Sequence, residues 1–110
     1  MIEPLTVKLL LDCIKTIELC LESKKRFLES TQLQDKVLCS LQELSEISRS
    51  ISWGYRGTIT EKAWKRINNL VFQQLLIPRA KGIDRYKIWQ VVLECLPIIK
   101  HEVSLWKSKL

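Results

Sequence analysis

An all-α fold, specifically an antiparallel four-helix bundle, is what this sequence predicts, and three observations carry the expectation. Apolar residues recur at helical spacing in four long stretches. No stretch alternates apolar and polar residues with period two, so no strand is expected. Glycine and proline number 3 each while 46% of residues are hydrophobic, a composition poor in turns and rich enough for a core. Short links between amphipathic helices favour antiparallel neighbours.

The first helix is expected to start at Pro4, a favoured first-turn residue. Leu10, Ile14, Ile17 and Leu21 form its stripe, with Asp12, Lys15, Glu18 and Glu22 on other faces. It should fade near Ser23. Lys24, Lys25 and Arg26 read as its basic C-terminal turn, where cations are favoured. Phe27 and Leu28 would tuck a short connector onto the core. The second helix runs from about Leu33 to Ser50 on a stripe of Val37, Leu38, Leu41, Leu44 and Ile47. A connector over 52–60 holds Gly54 and Gly57, and Thr58-x-x-Glu61 resembles a capping box. The third helix covers about Thr60–Leu76, with Trp64, Ile67, Val71 and Leu75 on one face, and stops before Pro78. Asp84 would cap a fourth helix carrying Ile88, Val92, Cys95, Ile99, Val103 and Trp106. Pro97 falls inside it and should kink it or shift its register.

The 110 residues read as one domain, 1–110. No apolar run approaches a membrane span of ~18 residues. Residues 1–11 carry Glu3 and Lys8 and no small-residue cleavage site, unlike a signal peptide. Four cysteines make no CxxC, and the single histidine, His101, cannot complete a two-Cys, two-His zinc site. Cys13, Cys20 and Cys95 lie on apolar stripes and read as buried thiols, consistent with a cytoplasmic location. No cofactor or metal is expected.

The net charge of +6 is uneven. Residues 1–55 hold 7 Lys/Arg against 8 Asp/Glu, net −1; residues 56–110 hold 11 against 4, net +7. A basic half fits a polyanion or an acidic partner protein, and it equally fits a solvated surface.

Gln34-Asp35-Lys36-Val37, followed by Leu38, Leu41, Leu44 and Ser45-Glu46, resembles the second-helix signature of the HEPN superfamily. The resemblance is to its HepT-like branch, the toxin half of MNT–HEPN toxin–antitoxin pairs. That branch shows Q-D-x-V, a leucine and an I-G-E triplet; here Ser45 replaces the glycine. Trp64-x-x-Ile67, Gly82-Ile83-Asp84 followed by Trp89, and Leu96-Pro97 resemble further family features in order. The likeness covers about Leu5 to Val103.

The resemblance implies a small helical homodimer. In active relatives an Arg-x4-His motif at the end of the third helix cleaves RNA without a metal. Histidine would move the proton of the attacking 2′-hydroxyl and arginine would hold the phosphate. A tyrosine two residues beyond the histidine is modified with AMP by a partner minimal nucleotidyltransferase. Here the Arg, His and Tyr positions fall on Val71, Leu76 and Pro78. Counting backward from Gly82 gives Gln73 and Pro78 for the pair instead. Neither register supplies the motif, so no catalytic residue carries over and a degenerate ribonuclease is expected.

Gln73, Gln74, Arg79, Lys81, Arg85, Tyr86 and Lys87 cluster in sequence around that position, and Arg79, Lys81, Arg85 and Lys87 are the candidate RNA- or phosphate-binding residues. His101 reads as a surface residue, and Glu43 with Glu46 as a solvated or interface face rather than an acid–base pair. Trp64, Trp89 and Trp106 fall on packing stripes, whereas Trp53 and Tyr55 flank Gly54 beside Arg56, where they would cap the bundle or stack on a base.

Overall fold

In the computed structural model, residues 3–49, 58–75 and 84–109 are described. They form α1 (Pro4–Cys20), α2 (Lys24–Glu29), α3 (Thr31–Ser48), α4 (Thr58–Leu75) and α5 (Arg85–Ser108), with no strand among them. α1 packs on α3 and α5, and α4 packs on the same two helices, so the four long helices surround one apolar core. α5 has 24 residues, a length of about 36 Å at 1.5 Å per residue. It therefore spans most of the molecule's 41 Å long axis.

The expected stripes are the core. Leu10, Ile14 and Ile17 of α1, Val37, Leu38, Leu41 and Leu44 of α3, Trp64 and Ile67 of α4, and Ile88, Val92, Ile99 and Val103 of α5 are buried. Trp106 is buried too, and Trp89 is half-buried against the core. α5 runs through Pro97 without interruption. Proline removes the amide that would bond the carbonyl four residues earlier. Both Pro97 and Leu93 are exposed, so water can take the place of that donor.

The stretch after α1 departs from expectation. Lys24–Arg26 are not its basic last turn; they open α2, a separate helix. The chain breaks at Ser23, which takes an extended backbone (φ −128°, ψ 118°) and accepts from the Arg26 amide at 3.4 Å. On α2 Phe27 is fully buried, its ring 5.7 Å from that of Trp89 on α5. Ser30 then ends α2 and caps α3, accepting from the Leu33 amide at 3.2 Å. Buried Gln34 donates from Nε2 to the carbonyls of Phe27 (2.9 Å) and Leu28 (3.2 Å). The first residue of the Q-D-x-V run thus satisfies the end of α2, whose carbonyls lack helical partners.

Other boundaries move by one or two residues, the normal spread for helix ends. α4 takes Thr58 as its first residue rather than beginning at Thr60, so Thr58 lies within the helix rather than before it. α3 begins at Thr31 and ends at Ser48. Trp53, Tyr55 and Arg56 lie outside the described residues. Ser45 is buried, and its hydroxyl donates to Asn68 Oδ1, linking α3 to α4.

Phe27→Ala is expected to destabilise the fold by about 3–5 kcal/mol, as for other buried aromatic truncations. Gln34→Ala should cost about 1–3 kcal/mol by stripping a donor from buried carbonyls. Urea-unfolding midpoints at constant m-value would measure both, and a Phe27→Ala midpoint equal to that of the parent would show that α2 is not part of the core.

Candidate nucleic-acid interface

The end of α4 is tied to the start of α5 through two adjacent glutamines. Gln74 Oε1 accepts from the Asp84 amide at 2.9 Å. Asp84 Oδ1 in turn accepts from the Lys87 amide at 3.1 Å, the cap expected from the sequence. Lys87 Nζ donates to Gln73 Oε1 at 2.6 Å. Gln73 and Gln74 therefore act as braces across the junction. The Arg85 guanidinium lies over the Tyr86 ring, 5.3 Å from its centroid, a cation–π arrangement that holds both groups at the surface. Tyr86 remains 59% exposed.

Two of the four expected phosphate ligands, Arg85 and Lys87, are thus exposed at one junction. Arg79 and Lys81, together with the motif positions Leu76 and Pro78, lie outside the described residues. Val71 is half-buried and packs against the core, where a branched apolar side chain belongs and a guanidinium would need a partner.

α2 adds cations that sequence reasoning assigned to another role. Lys24, Lys25 and Arg26 are all exposed. The Phe27–Trp89 contact seats α2 against the first turns of α5, and Arg85 lies one turn before Trp89 on the same helix face. The two sets of cations consequently share one end of the bundle. The signal was present as a Lys-Lys-Arg run, but only the contact between α2 and α5 gives it neighbours.

Among the described residues the ion pairs lie elsewhere: Arg66 with Glu94 at 2.7 Å, Lys100 with Glu18 at 2.8 Å, and Lys65 with Glu61 at 3.6 Å. The hydrogen bond and charge of Arg66 hold the Glu94 carboxyl below the usual carboxylate range, with Gln90 assisting. All these groups are substantially solvated, so the pairs orient the surface more than they stabilise the fold.

His101, Glu43 and Glu46 are exposed on other stretches of the helices, and three of the four cysteines are buried. His101 is exposed on α5, roughly 24 Å along the axis from Arg85 at 1.5 Å per residue. It borders a groove of about 590 Å³ walled by Leu21, Leu93, Leu96 and Pro97. Glu43 and Glu46 are exposed; Glu43 accepts from Cys13 Sγ at 3.6 Å and Glu46 from Gln42 Nε2 at 3.4 Å. Burial, followed by the nearby Glu43 charge and hydrogen bond, pushes the Cys13 thiol up to about 11. Burial also raises Cys20 and Cys95. All four cysteines are free, with Cys39 exposed. Among the described residues no three His, Cys, Asp or Glu side chains gather as metal ligands, and no helix is long and apolar enough to cross a membrane.

One curated protein relates this arrangement to a known lineage. Over 79 residues the chain is 30% identical to "Putative RNase MJ1380" of Methanocaldococcus jannaschii, covering 72% of this chain and 71% of that protein. The chain belongs to that protein's family. No family model matches it, and no solved structure does.

Thiol burial predicts reactivity. In the folded protein at pH 8, iodoacetamide should add to Cys39 alone, whereas urea-unfolded protein should take four adducts by intact mass. Rapid alkylation of a second cysteine in the native state would contradict the burial of Cys13, Cys20 and Cys95.

Proposed function

We propose that the chain is a ribonuclease-related RNA-binding protein of the HepT-like HEPN type that has lost the family's metal-free catalytic pair. Family membership with an archaeal protein named as an RNase supports the lineage. The observation that carries the loss is Val71, half-buried against the core where the motif calls for arginine. Leu76 and Pro78 continue the departure in the sequence. What the junction retains is cationic: Arg85 and Lys87, with Arg79 and Lys81 close in sequence, suit phosphate contacts and supply no base at neutral pH. Among the described residues no histidine stands at this end, since His101 is remote.

In this reading the single-domain chain is an antiparallel four-helix bundle, cytoplasmic, that pairs with a second copy through α4 and α5. Exposed Phe72 on α4 and Leu93 on α5 supply apolar surface for that contact. A toxin–antitoxin setting with a minimal nucleotidyltransferase partner fits the resemblance, although Pro78 removes the tyrosine that such a partner would modify.

Nuclease-free protein is expected to bind single-stranded RNA with an affinity that falls steeply with salt, through counterion release, and to leave it uncut. RNA cleavage abolished by Arg79→Ala would instead establish a working ribonuclease with a rearranged site. Phe72→Glu should weaken dimerisation about tenfold or more in sedimentation equilibrium, equivalent to ~1.4 kcal/mol. An unchanged dimer would exclude α4 from the contact.

A further inference from the structure

We propose that α2 forms a second wall of a single-stranded RNA track, with Lys24, Lys25 and Arg26 on phosphates, Arg85 continuing the line, and the Tyr86 ring stacking a base. The proposal rests on the RNA-binding reading above and extends it from the α4–α5 junction to a different element.

α2 is a short helix, yet it is firmly held. Buried Phe27, the Ser23 and Ser30 caps and the two Gln34 hydrogen bonds fix it between α3 and α5. Its three cations are presented on a rigid base, which lowers the ordering cost of binding. None of them, nor Arg85, has an ion-pair partner among the described residues. Glu22 and Glu29 flank the run in sequence and are exposed, but neither pairs with it.

Local electrostatics do not account for the run. Lys24 and Lys25 occupy the first two positions of α2, where the helix dipole disfavours positive charge. A polyanion across the face removes that conflict. The nature of the polyanion follows from what surrounds the cations. A membrane-binding helix would offer apolar side chains for insertion, but Phe27 is buried and Leu28 half-buried. What is exposed is the Tyr86 ring beside the Arg85 guanidinium. A cationic track with an accessible aromatic face is the usual platform for single strands, because an unpaired base can leave its stack and lie on the ring.

The experiment is fluorescence anisotropy with a labelled 12-nucleotide oligouridylate across a salt series. It compares the full chain, a Lys24→Gln/Lys25→Gln/Arg26→Gln variant and a Lys107→Gln/Lys109→Gln control. Each single-strand phosphate contact contributes about 0.7 to the slope of log affinity against log salt, so the triple variant should lose about 2 from that slope. The control, at the far end of α5, should keep it. All the substituted side chains are exposed, and a thermal melt verifies folding. Tyr86→Leu should lower affinity roughly tenfold with the slope unchanged. A triple variant with the parent's slope overturns the α2 wall while leaving RNA binding intact. Absence of RNA binding by the parent overturns the underlying reading as well. Equal displacement by polyglutamate or by a 12-base-pair RNA duplex overturns the assignment to single-stranded RNA.

Discussion

Phe27 enters the core from a short helix of its own, and much of this end of the structure follows from that placement. With the break at Ser23, one aromatic side chain is buried completely, at a gain of about 1.5–3 kcal/mol over leaving it exposed. The break also creates two helix ends, whose bare amides and carbonyls need partners. Ser23, Ser30 and Gln34 provide them. Two serines and one glutamine thus allow a single phenylalanine to pull six residues of chain across the end of the bundle, and the exposed cations of α2 travel with it.

Polar groups elsewhere follow the same division between buried and exposed sites. The buried Ser45 hydroxyl is matched to Asn68 across α3 and α4, where an unpaired hydroxyl would be costly. Surface charges at Arg66, Glu94, Lys100 and Glu18 pair in solvent, where pairing adds little. The buried thiols are held in the neutral form by their apolar surroundings, so they behave as small hydrophobic side chains. That leaves the bundle end formed by α2, the close of α4 and the opening of α5 as a surface where several cations face solvent without carboxylate partners.

The α4–α5 junction is framed by polar side chains rather than by ion pairs. Gln73 and Gln74 hold Asp84 and Lys87 by directed hydrogen bonds, which fixes where α5 begins relative to where α4 ends. Beside them Val71, half-buried, packs against apolar neighbours of the core.

Helical periodicity determined the four long helices and their buried faces, because each stripe repeats over enough turns to be unmistakable. The Asp84 cap and the burial of three cysteines were likewise legible, being set by local chemistry or by position on a stripe. The existence of α2 was not. Six residues contain fewer than two helical turns, too few for a periodic signal, and Lys24–Arg26 satisfy the ordinary preference of a helix C-terminus equally well. The roles of Gln34, Gln73 and Gln74 were hidden for a related reason: a glutamine's partners lie on other segments. Where the cations of α2 stand relative to those of α5 was decided only when Phe27 met Trp89, a contact between residues far apart in the chain that no local pattern records.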